Sequence, residues 1–223
     1  MKLLLVDTST ENLSFAFSEG DRPAVTYNRI AARSASALIA ELDSVCRNSG
    51  IRLEELDALA VGGGPGSFTG LRISFAAVKG LSIALNVPVM RIGSFFSCAY
   101  PFRQHEKIAV VADARRELWY GATFRGGAAK ALSGEKTATL VRPKDFVPAH
   151  REYLFLTPDV SVREELNTRF PEVHRIETLV FPRAQYFLPS AAESFRRRQF
   201  VPLKELEPWY LHPDTCQIRR SAA

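Results

Sequence analysis

The sequence predicts an α/β fold built from two related lobes, each of which begins with a β-hairpin. The pattern over residues 2–17 is that of a buried strand ending in Asp7, a polar turn, and a returning strand in which apolar and polar residues alternate. Residues 107–124 repeat this order, with Asp113 at the end of the first strand. Two lobes with a common plan account for the repeat, while chance similarity of two hairpins is the alternative.

The repeat also divides the chain near its middle. The second hairpin follows Pro101, so we expect an N-terminal lobe of residues 1–102 and a C-terminal lobe of residues 103–223. A chain of 223 residues is long enough for one large domain or for two small ones.

The composition is typical of a globular protein with a basic surface. Hydrophobic residues make up 46% of the chain, the net charge is +5, and Arg supplies 22 of the 29 basic residues. Arginine favours bidentate contacts to carboxylate or phosphate, so an RNA or an acidic protein partner is one interpretation and an ordinary solvated surface is the other. The three cysteines form no CxxC pair, and the apolar run at residues 3–6 is too short for a signal peptide. We therefore expect a cytoplasmic protein without a membrane segment.

We predict the elements of the N-terminal lobe from hydrophobic periodicity and from the turn-forming residues that interrupt it. Apolar residues at helical spacing over residues 38–46 form the stripe of an amphipathic helix, for which Ser34 is the expected N-cap and Gly50 the expected C-cap. After the hairpin we expect strands over residues 24–30, 56–61 and 88–92, and further helices over residues 69–85 and 94–100.

The C-terminal lobe is less clearly patterned. Its second half predicts a helix over residues 184–199, which Pro189 would break or kink. The other expected elements are strands over residues 137–141 and 153–156, a helix over residues 160–170 and an extended segment over residues 207–211.

A glycine-dense turn, with the sequence GGGPGSFTG over residues 62–70, is the most constrained stretch of the chain. Backbone N–H groups at such a turn into a helix can hold an anion or a carbonyl oxygen, and Ser67 or Thr69 can cap the helix. The turn lacks the Lys of a P-loop and the last Gly of the dinucleotide fingerprint. A ligand site and a purely structural joint therefore both stay open. The candidate binding residues are Gly64, Pro65, Gly66, Ser67, Thr69 and Gly70.

The helix predicted over residues 69–85 is apolar in nearly every direction. Its charged residues are Arg72 and Lys79 alone. Burial of each large side chain is worth about 1.5–3 kcal/mol, so a whole exposed apolar face would be costly. Small residues such as Gly70 and Gly80 would let another backbone approach closely. Burial within the chain's own core and contact with a partner subunit are the two interpretations.

Two further features bear on catalysis. In phosphotransferases built from two such lobes, aspartates placed like Asp7 and Asp113 hold metal-bound phosphate, although capping of a turn by Asp is the simpler interpretation. The four histidines lie far apart in the sequence, so none has the spacing of a helical metal pair. No GxSxG elbow is present, and we expect neither a metal site nor a catalytic nucleophile.

Several segments together resemble the TsaB (YeaZ) family. The match is specific over the first 125 residues and holds only in outline over residues 126–200. The matching segments are LVDTSTE at residues 5–11, GPGSFTGLRI at 64–73, VKGL at 78–81, DARRELWY at 113–120 and PWYL at 208–211.

The resemblance implies an actin/Hsp70/sugar-kinase-like (ASKHA) fold of two duplicated lobes, and a role in making threonylcarbamoyladenosine next to the anticodon of tRNA. In that system a TsaD-like transferase carries the metal and the transferase site, and a TsaE-like ATPase supports it. A member of the TsaB family is a non-catalytic scaffold that activates the transferase, so its contact with tRNA would be indirect. The resemblance further implies no activity of the chain alone and no tightly bound cofactor, with ATP or ADP held only in the complex.

The resemblance also implies that helices of the N-terminal lobe bind the transferase and that the same helices can form a homodimer. The expected interface residues, all on the first two predicted helices, are Leu38, Leu42, Val45, Ile73, Ala77, Lys79 and Gly80. One departure lies at residues 32–37, where ARSASA replaces the family's ARS-H-SE and the family's lone histidine is absent. Any site built on that histidine is therefore in doubt.

Two other functions compete with the scaffold. A glycoprotease-like peptidase would need a nucleophile or a metal, and the sequence offers no convincing set. A small ATP-binding, kinase-like protein would use the glycine turn together with Asp7.

Overall fold

The computed structural model describes residues 1–31, 34–127, 132–134 and 138–211, which form two five-stranded sheets with helices packed against them. The predicted α/β class, with a hairpin at the start of each sheet, is confirmed. The elements of the first half are β1 (Lys2–Asp7), β2 (Asn12–Glu19), β3 (Arg22–Ile30), α1 (Leu38–Ser49), β4 (Ala58–Gly62), α2 (Phe68–Leu85), β5 (Val89–Ile92) and α3 (Ser94–Ala99). Those of the second half are β6 (Lys107–Asp113), β7 (Trp119–Arg125), β8 (Ser133–Gly134), β9 (Thr139–Val141), α4 (Pro143–Ala149), β10 (Leu154–Leu156), α5 (Val160–Arg169) and α6 (Leu188–Arg196).

The N-terminal sheet has the strand order β3-β2-β1-β4-β5. The first three strands are antiparallel, and β4 and β5 join β1 in parallel. Both faces of β1 are covered: Leu4 and Val6 lie in a core with α1 and α2, whereas Leu3 and Leu5 lie in a core with α6. Burial on both faces explains why β1 is a continuous apolar run instead of an alternating one.

The C-terminal sheet repeats the hairpin in a second setting. Its strand order is β10-β6-β7-β8, and β9 also pairs with β7. One face packs on α3 through residues such as Val110, and the other packs on α5 through residues such as Val111. In both hairpins the Asp at the end of the first strand lies opposite the second strand, with Asp7 opposite Ser14 and Asp113 opposite Trp119.

The end of the described chain returns to the N-terminal sheet, which the division at residue 102 did not anticipate. Phe187 and Leu188 are buried against β1 and β4, and Leu206 is buried in the core beneath α1 and α2. The Val201 N–H donates to the Val89 carbonyl at 2.8 Å, and the Trp209 N–H donates to the Gly63 carbonyl at 3.0 Å. The segment over residues 184–210 therefore packs mainly on the first lobe, whereas Leu211 packs against the core of the second sheet.

The observed ends of the helices agree with some of the predicted capping residues and differ from others. The predicted Ser34 N-cap is wrong, because Ser34–Ala37 is a 3₁₀ turn and α1 begins after Ala37 without a side-chain cap. The predicted Gly50 C-cap is confirmed by a left-handed φ of 66°. Pro189 does not kink a long helix, since it lies in the first turn of α6, where its missing N–H costs nothing.

Several elements of the second half were not predicted as they occur, among them the short strand β8. The helix α4 was missed, because Pro143 and Pro148 both lie within seven residues and mask its short pattern. The strand expected over residues 137–141 is observed as β9 from residue 139, and residue 137 lies outside the described residues.

Within the described ranges, α2 is the one helix that is long and apolar enough to cross a membrane, judged by length and composition alone. This is weak evidence for a membrane span, because core helices pass the same test. The inner side of α2 buries Leu71, Phe75 and Val78 against the N-terminal sheet.

The packing of Leu206 in the N-terminal core leads to a prediction about stability. Leu206→Ala should lower the free energy of unfolding by about 2–5 kcal/mol, because it removes a fully buried side chain from the N-terminal core. Urea unfolding followed by circular dichroism measures the change. Glu205→Ala, at the exposed neighbouring position, is the control and should have almost no effect. Equal stabilities of the two variants would contradict the packing described above.

Candidate functional site

The glycine turn is docked on the polar loop that follows β1. The Ser67 N–H donates to the Ser9 carbonyl at 2.7 Å, and the Thr8 hydroxyl donates to the Gly70 carbonyl at 2.7 Å. Thr8 and Ser9 are both buried. The start of α2 is therefore held against the end of β1 by one backbone–backbone hydrogen bond and by one from the Thr8 side chain.

Two glycines make this docking possible. A Cβ at Gly66 would come closer than 3.0 Å to the Ser9 carbonyl, and a Cβ at Gly70 would come equally close to the Thr8 carbonyl. Real Cβ atoms essentially never show such separations, and the obstructing atoms are backbone. Glycine is therefore required at both positions by the close approach of the two segments.

Four N–H groups of the turn, those of Gly63, Gly64, Ser67 and Gly70, have acceptors within the protein. Besides the bond of Ser67 to Ser9, the Gly64 N–H donates to the Ser94 hydroxyl at 3.2 Å and the Gly63 N–H to the Ile92 carbonyl at 2.7 Å. The predicted cap is formed by Ser67, whose hydroxyl accepts from the Gly70 N–H at 3.2 Å. The geometry favours the structural joint over an anion cradle. Binding of a ligand by the six residues named for this turn stays a prediction.

Asp7, the last residue of β1, lies next to the glycine turn. Its carboxylate is fully buried and accepts hydrogen bonds from the Ser9 N–H at 2.9 Å, the Ser9 hydroxyl at 2.6 Å and the Ser94 hydroxyl at 2.6 Å. Burial raises the pKa of Asp7, and the bonds from Ser9 and Ser94 oppose this rise. The carboxylate thus caps its own turn and ties β1 to the start of α3.

Asp113 has the same local role in a more open setting. Its carboxylate accepts from the Arg115 N–H at 2.7 Å and pairs with the Arg115 side chain at 3.1 Å. The Asp113 N–H donates in turn to the Asp159 carboxylate at 2.7 Å, and burial raises the pKa of Asp159. Both hairpin aspartates are turn caps, but the C-terminal one lies nearer to solvent.

Aromatic and arginine side chains flank the glycine turn, a placement that was not predicted from the sequence. The Arg91 guanidinium lies 4.5 Å from the Trp209 ring centroid, and the Arg72 guanidinium lies 3.8 Å from that of Phe68. The Phe68 and Tyr210 rings are 5.5 Å apart. The Trp-Tyr pair near the end of the described chain was the signal that could have pointed to this cluster.

The structure separates the seven expected interface residues into two groups. Leu38 and Leu42 are only 1% and 4% exposed and pack in the chain's own core, so their placement on a contact surface is corrected. Val45, Ile73, Ala77, Lys79 and Gly80 are partly or fully exposed and stay predicted contact residues. Ile83 on α2 and Ile39 on α1, which were not named, are 71% and 55% exposed.

Metal chemistry finds no support in the described residues. Across residues 1–31, 34–127, 132–134 and 138–211, no group of three or more His, Cys, Asp or Glu side chains converges. His212 lies outside those ranges. That the protein binds no metal stays a prediction.

A matched pair of glycine substitutions on α2 tests the docking. Gly70→Ala should lower the free energy of unfolding by several kcal/mol or prevent folding, because its methyl group would overlap the Thr8 carbonyl. Gly80→Ala should raise that free energy by up to about 1 kcal/mol, because Ala favours the helix and nothing lies within 4 Å of the new Cβ. Urea unfolding measures both. Tolerance of Gly70→Ala would show that the two backbones are not in contact.

The buried carboxylate makes a prediction about pH. Because the pKa of Asp7 is raised on folding, the folded state holds this proton more tightly than the unfolded state. The protonated Asp7 side chain contributes its full stabilisation below the ordinary Asp pKa of about 3.9. This contribution is lost as the pH rises through the raised pKa of Asp7 in the folded state. The unfolding free energy of the unchanged protein should therefore fall relative to that of Asp7→Asn over this range. Urea unfolding at a series of pH values provides the measurement, and a constant difference would contradict the burial of the charge.

Comparisons with known proteins agree with the resemblance. The family model of TsaD, tRNA N6-adenosine threonylcarbamoyltransferase, matches residues 27–144, which is more than half of the chain. The tRNA threonylcarbamoyladenosine biosynthesis protein TsaB of Escherichia coli is 25% identical over 218 residues, covering 95% of this chain and 94% of its own. The TsaB of Haemophilus influenzae is 34% identical over 131 residues, covering 56% of this chain and 55% of its own.

Solved structures extend the match to three dimensions. YeaZ from Pseudomonas aeruginosa superposes with a TM-score of 0.78 at 26% identity, over 94% of this chain and 100% of that one. A second Pseudomonas aeruginosa structure, described as similar to the peptidase YeaZ, gives a TM-score of 0.79 at 25% identity, over 95% and 99% of the two chains. With a match in both sequence and fold over nearly its whole length, the chain belongs to the TsaB (YeaZ) family of TsaD-type domains.

Proposed function

We propose that this chain is a non-catalytic subunit that binds and activates a TsaD-type transferase in the synthesis of threonylcarbamoyladenosine in tRNA. The observation that carries the proposal is the exposed apolar face of α2. Ala76, Gly80 and Ile83 recur at helical spacing on the side of α2 that faces away from the sheet, and all three are exposed. A helix with apolar residues on both sides is suited to lie between its own core and a second protein.

Small residues make this face suitable for close helix packing. Gly80 has nothing within 4 Å of the position of a Cβ, so another backbone could approach α2 there. The neighbouring helix α1 adds Ile39, which is exposed, and Val45, which is half-buried. Desolvation of Ile39 and Ile83 by a partner would contribute about 1.5–3 kcal/mol for each side chain that becomes fully buried.

The scaffold role is supported by how the N-terminal lobe uses its own polar groups. The glycine turn donates to Ser9, Ile92 and Ser94, and Asp7 is sealed beneath it. An arrangement of this kind stabilises the lobe and offers no group for chemistry. We therefore expect no activity of the chain alone and no tightly bound cofactor. ATP or ADP would be held in the assembled complex.

We expect the complex to assemble through the exposed face of α1 and α2. A TsaD-like transferase would cover the outer face of α1 and α2, and a homodimer through this face would compete with it. A TsaE-like ATPase would join the complex through the transferase, and the reaction would place the protein with its tRNA in the cytoplasm. Contact with tRNA through the transferase is the simplest arrangement.

The two other candidate functions have less support. A peptidase needs a nucleophile or a metal, and a kinase-like protein needs turn N–H groups that donate to phosphate. The N–H groups of Gly63, Gly64, Ser67 and Gly70 donate within the protein. Within the described residues, no three His, Cys, Asp or Glu side chains come together as a metal site would require. The likeness to a peptidase noted for one solved structure concerns that protein and does not support peptidase activity in this chain.

Charge placed on α2 tests the proposal. Gly80→Glu should leave the isolated chain folded, since the new side chain points into open space, and should reduce co-purification with the TsaD-type transferase at least tenfold. The reason is that a carboxylate would be desolvated against an apolar partner surface. Restoration of threonylcarbamoyladenosine synthesis from purified components provides a second measurement and should fail for the same variant.

The matched control adds the same charge to another helix. Ser161→Glu lies on the exposed side of α5 in the C-terminal lobe and should retain both the partner and the synthesis. If Gly80→Glu binds the transferase as well as Ser161→Glu does, the face of α2 is not the interface. If synthesis proceeds equally well without the chain, the activating role is wrong.

A further inference from the structure

A cavity of about 920 Å³ lies in the C-terminal lobe, beside the turn that joins β6 to β7. Six charged residues line it, four of them basic: Arg116, Arg142, Lys144, Arg169, Glu117 and Glu165. Leu118 and Pro143 complete the lining. The four basic residues come from three separate parts of the chain, which the fold brings together around one opening.

Most of the positive charge in this pocket is not neutralised by the protein. Arg169 forms an ion pair with Glu165, one turn away on α5. Within the part of the chain that the structure describes, Arg116, Arg142 and Lys144 take part in no ion pair, and Glu117 is the remaining acidic group of the lining. Cations held around one cavity repel each other, and an anion in the cavity would relieve this repulsion.

The turn that supplies Arg116 is held in an unusual conformation. Arg115, Arg116 and Glu117 have φ values of 66°, 54° and 60°, so three successive residues with side chains are left-handed. Left-handed backbone costs free energy at each such residue and normally occurs singly. Persistent strain of this kind is typical of sites where a side chain has to be aimed.

Neighbouring hydrogen bonds enforce this conformation. The Ala114 N–H donates to the Leu118 carbonyl at 2.9 Å, and the Leu118 N–H donates to the Arg115 carbonyl at 3.0 Å. The Asp113 carboxylate fixes the Arg115 N–H at 2.7 Å. The turn is therefore closed at its base, and Arg116 and Glu117 lie at the cavity.

The other two unpaired cations are placed by strand pairing. Trp119 on β7 lies opposite Val141 on β9, so Arg142, which follows Val141, comes next to the β6–β7 turn. Lys144 lies in the first turn of α4, directly after Pro143. Rigid elements thus carry both side chains to the same opening as Arg116.

We propose that this pocket binds phosphate groups, and that the sugar–phosphate backbone of an RNA supplies them. The volume exceeds what one phosphate needs and falls in the range of pockets that hold nucleotide-sized ligands. Among the residues that the structure describes, no aromatic side chain lines the cavity. This lining offers no surface for base stacking, so binding would depend on the backbone and not on the base sequence. The phosphate site stands on the geometry alone. The choice of RNA as its source rests on the proposed function and goes beyond it, because the chain would then contact the tRNA directly through this pocket in addition to the contact made by the transferase.

The test removes the three unpaired charges. The pocket variant combines Arg116→Asn, Arg142→Gln and Lys144→Gln, in which Asn is chosen because it tolerates the left-handed backbone. The control variant combines Arg198→Asn, Arg22→Gln and Arg151→Gln, which removes the same charge from exposed sites elsewhere. Arg198 is also left-handed, with a φ of 53°, so the two sets are matched in backbone as well as in charge.

Binding of the full-length chain is measured by fluorescence anisotropy with a labelled RNA hairpin over a series of salt concentrations, and by calorimetry with pyrophosphate and ATP. The pocket variant should bind the hairpin at least about tenfold more weakly at low salt, and the slope of log K against log salt should shrink by about one unit for each lost contact. The control variant should bind nearly as well as the unchanged chain.

Each of the other outcomes also supports or overturns the phosphate site. Loss of pyrophosphate or ATP binding alone would support the phosphate site and assign it to a free ligand instead of RNA. Equal weakening in both variants would overturn the site, because the attraction would then come from the overall charge. Absence of binding of all three probes by the unchanged chain would overturn it as well. Failure of the chain to bind the transferase would contradict the proposed function and leave this test unaffected, since no partner is used.

Discussion

The contact between the loop after β1 and the start of α2 is the constraint on which the N-terminal lobe depends. Gly66 and Gly70 let the α2 backbone touch the carbonyls of Ser9 and Thr8, with hydrogen bonds in both directions. This contact fixes where α2 leaves the sheet, and hence which of its sides is buried. Leu71, Phe75 and Val78 follow inward from that starting point, while Gly80 and Ile83 turn outward. A change in the joint would therefore move the core and the exposed face together.

The two lobes share a plan but use the ends of their first strands differently. In the N-terminal lobe Asp7 is sealed by Ser9 and Ser94, and the glycine turn fills the space above it. In the C-terminal lobe the corresponding Asp113 is closer to solvent and supports a strained turn of basic residues. Burial of a carboxylate favours rigidity, because the buried charge has to keep all of its hydrogen bonds. The shared plan thus has one end that is filled by the chain itself and one that is open and cationic.

Local sequence signals accounted for the elements with strong periodicity and failed where a distant segment decides the outcome. The hairpins, α2 and the Gly50 cap were predictable because each depends on residues close in sequence. The burial of Leu42 was not, since a helical stripe does not show how much of it the chain's own sheet covers. The return of residues 184–210 to the first lobe was missed for the same reason. Their apolar residues fit either lobe by composition, and only the packing of Leu206 and Phe187 selects one.

The separation of the two surfaces in the fold bears on how the protein would work in a complex. The apolar face belongs to α1 and α2, and the basic pocket is lined by the β6–β7 turn, α4 and α5. No lining residue of the pocket lies on either of the two helices of the apolar face, so occupation of one surface does not consume groups of the other. Apolar contact depends little on salt, whereas binding of phosphate weakens steeply with it. A subunit of this design would hold its protein partner by one kind of force and guide a nucleic acid by another.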